Sequence, residues 1–203
     1  MTSAGTPTNS PESLIKRAII SRRNIMLYRF GFFLSLICCA LAHAEGNLPS
    51  SALVSSSAEA ALPLADRVVV RKGERKLYLM RKDEVLRSYK IALGLRPEGH
   101  KQFEGDYRTP EGKYRLTRRN PNSEYFLSIQ VDYPNANDVA NARKLGLKPG
   151  GAIMIHGQPN LPRKNRDYYA NVDWTEGCIA LSNTDMVEIW LMTPLNTPIE
   201  IAP

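Results

Sequence analysis

From Arg67 to Val131, apolar residues recur at every second position in short runs, and turn-forming residues separate the runs. A period of two belongs to strands that bury one face; helices return their apolar residues at a longer interval. Val68-Val69-Val70 and Lys76-Leu77-Tyr78-Leu79-Met80 flank Lys72-Gly73-Glu74, which predicts a hairpin. Val85–Leu93 is a third strand candidate. Lys113–Thr117 and Tyr125–Val131 alternate as half-buried strands do. Between the third and fourth strands runs a long polar stretch, Gly94–Gly112, with Thr109-Pro110-Glu111-Gly112 as its turn signal. Loops of that length within a compact domain are often functional.

Helix signals are few. Asn135 or Asn137 can cap a short helix to about Leu145, closed by Gly146. A second runs from Thr184 to Met192, with Asp185 and Glu188 near its start. Between them, Pro149-Gly150-Gly151 turns the chain into the apolar strand Ala152–Ile155, which delivers His156. The polar segment Gln158–Val172 follows, and then a strand carrying Cys178. Thr197–Ile201 reads as the last strand, and Pro198 confines it to a sheet edge or to the strand's opening position. Strands and helices do not alternate as a parallel α/β sheet requires. The expected fold is mainly β: an antiparallel, sandwich- or barrel-like domain with two short helices.

Ahead of Arg67 the texture differs. Arg29 precedes the apolar run Phe30–Leu41, and Ala42-His43-Ala44 follows it. A positive flank, a short apolar run and A-x-A read as a secretory signal peptide. The run is shorter than the roughly 20 residues a membrane-spanning helix needs. Met26 heads a compact leader, and residues 1–25 read either as sequence upstream of the true start or as a disordered extension. Residues 45–65, rich in Ser, Ala and Pro, read as a flexible spacer. The expected organisation is thus an extension with signal peptide over 1–44, a linker over 45–65 and one folded domain over 66–203, exported to the periplasm or cell envelope, with no stable membrane insertion after cleavage.

The formal charge of +7 on 203 residues invites a nucleic-acid reading. Residues 1–44 hold five Lys and Arg against Glu12, a net of +4, and the rest nets +3. Binding to phosphates needs clustered charge, so no nucleic-acid partner is expected. Cys38 and Cys39 lie in the apolar run. If the leader is removed, Cys178 is the one cysteine left, a thiol with no partner in its own chain.

That thiol sits in Asp173-Trp174-Thr175-Glu176-Gly177-Cys178-Ile179, and His156-Gly157 closes an earlier strand. A free thiol is mostly protonated at neutral pH. An imidazole in reach can take its proton and hand it on to a leaving amine. Gly177 keeps side-chain bulk away from Cys178, and the Gly177 and Cys178 N–H groups could face a developing oxyanion. Taken alone, each residue also fits a quieter role, Cys178 as a buried structural cysteine and His156 as a core or rim histidine. No Cys/His set has metal-ligand spacing, and no glycine loop reads as phosphate-binding; no metal or cofactor is expected.

His156-Gly157, an insert, then Thr175-Glu176-Gly177-Cys178-Ile179 resemble the signature of the L,D-transpeptidase catalytic domain, the YkuD family. The resemblance extends over roughly Arg67–Ile201 and includes Ala92-Leu93-Gly94, the Gly105–Gly112 loop and Ser182-Asn183. Two positions depart: Glu176 stands where the family usually has a second His, and Ala180 where many members have Arg or Asn. The resemblance implies a peptidoglycan enzyme that builds cell wall and shape. In it Cys178 attacks a tetrapeptide stem, D-alanine leaves with a proton from His156, and an amine acceptor resolves the acyl-enzyme. Thr175, Gly157 and Arg108 are the candidate substrate contacts, with Arg163 and Arg166 as further partners for stem carboxylates. Two alternatives stand beside this. Water as acceptor would make an L,D-carboxypeptidase or a crosslink hydrolase, and a buried Cys178 would mean a non-catalytic wall-binding domain.

Overall fold

The computed structural model of the chain describes residues 62–203. The expected signal segment (1–44) and residues 45–61 of the expected spacer lie outside the described residues. The end of that spacer is already part of the fold: Ala65 is buried and its N–H donates to the Met192 carbonyl at 2.8 Å.

Eight strands form one sheet in the order β3-β2-β1-β8-β4-β5-β6-β7. The hairpin of β1 (Arg67–Arg71) and β2 (Lys76–Arg81) forms as the alternation predicts, with Val68, Val70, Leu77 and Leu79 fully buried. β3 (Glu84–Lys90) ends earlier than the sequence suggests. Past it the chain turns away from β2, and Ala92 exchanges hydrogen bonds of 2.8 and 2.9 Å with Ala180 of β7. This draws the two ends of the sheet together, the barrel-like closure expected.

β4 (Gly112–Ser123) is much longer than its visible alternation. Its first residues, Gly112–Arg115, pair with β8 (Pro198–Ala202), and Leu116–Ser123 pair with β5 (Phe126–Val131) through two register shifts. The shifts break the period of two that would mark the strand. Pro121 falls inside the second one, where no hydrogen bond is asked of it. β8 is a central strand, and Pro198 takes its opening position.

Two expectations are corrected. The sheet is mixed, because β1 runs parallel to β8, and β6 (Met154–His156) parallel to β7 (Ile179–Ala180). Residue periodicity carries no strand direction. A parallel pair needs a crossover of about a dozen residues or more, and residues 157–178 supply one between β6 and β7. The described residues also hold three helices, not two: α1 (Ala136–Lys144), α2 (Arg166–Asn171) and α3 (Asn183–Met192). α1 starts at the predicted Asn135, whose side chain accepts from Asn137 and Asp138 N–H while Asp138 reaches back to the Asn135 N–H. α2 is too short to show a helical period; Asn165 caps it, accepting from Tyr168 N–H at 2.9 Å. α3 is capped by Ser182, so it begins slightly before Thr184. It buries Met186, Ile189 and Trp190 and packs on β5.

The long loop between β3 and β4 is tightly held. The buried Lys72 ammonium donates to Gly99 O (2.6 Å), Thr109 O (3.0 Å) and Glu111 Oε1 (2.8 Å). The buried Asp106 carboxylate accepts from the N–H groups of Gln102, Phe103 and Arg108.

Candidate active site

His156 closes β6 and Cys178 immediately precedes β7. In the parallel register Ile155 lies opposite Ile179 and His156 opposite Ala180. Both isoleucines are fully buried. Alternation then turns His156 and Cys178 onto the other face. Diagonal neighbours on one face of a sheet stand roughly 7–8 Å apart at Cα, a separation that a thiol and an imidazole can span. Both side chains line one cavity of about 570 Å3.

The His156 ring is almost wholly buried, against Tyr125 at 4.6 Å and Trp174 at 5.6 Å between centroids. Its Nδ1 lies 2.7 Å from the Gly157 carbonyl oxygen. A carbonyl only accepts, so Nδ1 carries the proton and Nε2 keeps its lone pair for a substrate or the thiol. Burial lowers the His156 pKa to about 4, against a smaller upward pull from the Gly157 bond. A backbone carbonyl therefore orients the imidazole. The nearby Asp173 is engaged elsewhere, accepting from Leu93 N–H at 2.8 Å and pairing with Arg75 Nε at 3.0 Å.

Cys178 is a half-buried free thiol. Its sulfur lies 3.5 Å from the Ala152 carbonyl and receives the Met154 N–H. Burial pushes the thiol pKa up, Met154 N–H and the charge of Lys101 pull it down, and Glu176 pushes it up again. The net shift is upward, so thiol and imidazole rest as two neutral groups.

The loop before the thiol is fixed by Thr175, which is buried. Its Oγ1 accepts from Gly177 N–H at 3.1 Å and donates to the Cys178 carbonyl at 2.7 Å. The expectation that Gly177 N–H faces an oxyanion is corrected: that donor is spent on Thr175, and of the expected pair the Cys178 N–H remains. Gly177 itself is required by geometry. Its φ is +131°, and a Cβ would stand 2.7 Å from the Arg108 carbonyl oxygen.

Of the three expected substrate contacts, only Thr175 lies in the cavity wall. Thr175 lines the cavity, but its hydroxyl is committed to the loop. Gly157 is absent from the cavity wall. It is a packing glycine, where a Cβ would meet Asn183 Oδ1 at 2.5 Å and Phe126 Cβ at 3.0 Å. Arg108 is absent too; its carbonyl abuts Gly177 and its guanidinium lies beside Gly99. Arg163 lines a neighbouring cavity of about 550 Å3, which shares Glu124, Tyr125 and Trp174 with the first, and Arg166 lines neither.

Sequence reading missed the residues that do shape the site. Tyr125 and Trp174 hold the imidazole, and Lys101, Glu104, Glu124 and Glu176 give the cavity wall its charge. The long polar loop was the signal for Lys101 and Glu104, but its composition does not say which charge turns inward. Among the described residues no group of three or more His, Cys, Asp or Glu is placed to hold a metal ion, and no helix is long and apolar enough to cross a membrane.

Residues 65–201 match the L,D-transpeptidase catalytic domain family, YkuD. YafK of Escherichia coli (strain K12), provisionally named an L,D-transpeptidase, is 38% identical over 76 residues, which make up 36% of this chain and 29% of YafK. A point-mutant form of the helical cell shape determining protein Pgp2 of Campylobacter jejuni aligns with a TM-score of 0.50 and 26% identity, over 70% of this chain and 49% of that one. Bd1075 of Bdellovibrio bacteriovorus aligns with a TM-score of 0.46 and 24% identity, over 70% and 51% of the two chains. The chain thus spans under a third of YafK and about half of the Pgp2 and Bd1075 chains.

Proposed function

Because the chain belongs to the L,D-transpeptidase catalytic domain family, we propose that it is an exported cysteine acyltransferase working on peptidoglycan stem peptides in the periplasm or cell envelope. As Cys178 Sγ attacks the carbonyl carbon of the third stem residue, its proton passes to His156 Nε2. The carbonyl π pair moves to oxygen, where the Cys178 N–H is the backbone donor available from the pair expected. Collapse breaks the C–N bond, and the Nε2 proton goes to the departing amine of D-alanine. A thioester on Cys178 remains. An acceptor amine then attacks it, gives a proton to Nε2 and displaces the sulfur, which takes that proton back.

The observation that carries this reading is the 2.7 Å approach of His156 Nδ1 to the Gly157 carbonyl oxygen. A buried imidazole whose Nδ1 is held by Gly157 O, in the wall of the cavity that also holds Cys178, has Nε2 as its working atom. Tetrapeptide muropeptides incubated with the protein test it. D-Alanine release is expected from wild type and not from Cys178→Ala or His156→Ala, and undiminished release from Cys178→Ala overturns the scheme. Added amine should appear in the product. A product that stays the tripeptide whatever amine is present assigns water as the acceptor.

A further inference from the structure

Two lysines of this domain are buried, and they differ in one respect. Lys72, 2% exposed, has a protein acceptor for each of its three N–H bonds and lines none of the cavities beside Cys178. Lys101, 4% exposed, donates to Asp106 Oδ1 at 2.7 Å and Phe103 O at 3.1 Å, and it lines the cavity that holds Cys178. An ammonium has three donors, so one is left for what enters the cavity. Lys101 pairs with the buried Asp106, which also accepts from three backbone N–H groups, and its place in the cavity wall comes in addition to that pairing. Burying a lysine is costly, and here the cost brings a fixed positive charge to the cavity wall.

The other charged side chains of the wall are acidic. Glu104, Glu124 and Glu176 line the same cavity, while Arg108, Arg163 and Arg166 do not. A carboxylate entering this space has one cation to meet. We propose that Lys101 is a specificity-determining residue that receives a substrate carboxylate close to the scissile bond. This rests on the stem-peptide reading above. Two carboxylates qualify, the terminal one on the leaving residue and one on the side chain of the diamino acid that becomes the acyl group. In both cases the glutamates of the same wall are available to the substrate's free ammonium.

Three peptides separate the sources: a tetrapeptide with both carboxylates, its C-terminal carboxamide, and one whose third residue carries a side-chain amine but no side-chain carboxylate. Wild type should process the peptide lacking the recognised carboxylate with kcat/KM lower by roughly 10- to 100-fold, the worth of a charge-assisted hydrogen bond. Lys101→Met should lose the same factor on the parent peptide and erase that difference, and Lys101→Arg should restore part of it. Binding of the three peptides to Cys178→Ala protein, by calorimetry, should follow the same order. Thermal melting checks the fold. If Lys101→Met does not fold, Lys101→Met with Asp106→Asn removes the unpaired charge and takes its place. Discrimination retained without Lys101, or activity lost equally on all three peptides with the preference intact, overturns the assignment. A wild type that releases D-alanine without discriminating overturns it while leaving the stem-peptide reading standing. A wild type that neither binds nor processes any of the peptides overturns both.

Discussion

Acid should weaken this fold through His156, and by a calculable amount. The imidazole is buried neutral, with a pKa near 4 against an ordinary 6.5, because burial disfavours its charged form. Above pH 6.5 neither the folded nor the unfolded chain protonates it, and stability is at its full value. Between 6.5 and 4 the unfolded chain binds the proton and the folded chain does not, so stability falls as pH falls. Below about 4 both states are protonated and the loss levels off. Each pKa unit is worth about 1.4 kcal/mol, so the total is roughly 3 kcal/mol, a large part of a typical domain's stability of about 5–15 kcal/mol. Urea unfolding at pH 7.5, 6.0, 5.0 and 4.5 measures it, with His156→Gln, whose side chain does not titrate, as reference. Carboxylates such as Asp106 act equally in both proteins, so the difference isolates the imidazole. The acid limb of kcat/KM should likewise fall near pH 4 rather than 6.5. If wild type and His156→Gln lose stability in parallel, within about 0.5 kcal/mol, the ring is not held neutral by burial.

Other perturbations read the surrounding geometry. Alkylation of Cys178 by iodoacetamide, followed on its own peptide by mass spectrometry, should be slow at pH 7 and should still be rising above pH 9, because burial pushes the thiol up; a plateau near neutrality would mean a resting thiolate. Thr175→Val should cost about 1–3 kcal/mol, leaving Gly177 N–H and Cys178 C=O unpaired, and should lower kcat more than it raises KM. Thr175→Ser, which keeps the hydroxyl, should recover both, and equal behaviour of the two variants would exclude the loop-tying role. Gly177→Ala should destabilise by at least roughly 1–3 kcal/mol from backbone strain alone, with the contact to the Arg108 carbonyl added; an unchanged melting temperature would contradict the close approach.

The sequence made part of this structure readable and hid the rest for physical reasons. The β1–β2 hairpin, β5, α1 and α3 follow from alternation and capping, which are local. Strand direction is not local: the same residues could pair either way, and only the length of the 157–178 connection bears on it. The second half of β4 was hidden because bulges break its period, and α2 because six residues do not show one. At the site, the thiol and the imidazole were marked by residue type and glycine neighbours. Arg108 and Gly157 lie off the cavity wall, since a loop's charge or a glycine can serve packing as readily as binding. Lys101 and Arg108 lie on one loop, and only the fold of that loop around Asp106 decides which cation faces the cavity.

The pairing of β6 with β7 bears on how the proposed pair would act although burial opposes ionising either member. Ala152, Met154 and His156 occupy alternate positions along one stretch of chain. The first offers the sulfur a carbonyl and the second an N–H, and the third places its imidazole in the same cavity wall. Ala152 takes a positive φ of +55° just after Gly150, at +78°, so its carbonyl is set by a local twist rather than by regular strand geometry. At rest the S–H has Ala152 O as its acceptor, and a thiol hydrogen is free to rotate. In the proposed scheme that hydrogen leaves Ala152 O for His156 Nε2, and the approaching carbonyl carbon makes the transfer favourable as the C–S bond forms. A slip of β7 by one residue would turn Cys178 toward the core beside Ile155. What fixes the register is the pair of fully buried isoleucines, 155 and 179. Ile179→Ala should therefore cost about 2–5 kcal/mol and also lower the rate of Cys178 acylation by substrate, whereas Ile199→Ala, equally buried but in the sheet's other half, should cost similar stability and leave acylation by the folded protein unchanged. Equal effects of the two on acylation would show that the register of β6 and β7 does not set the site.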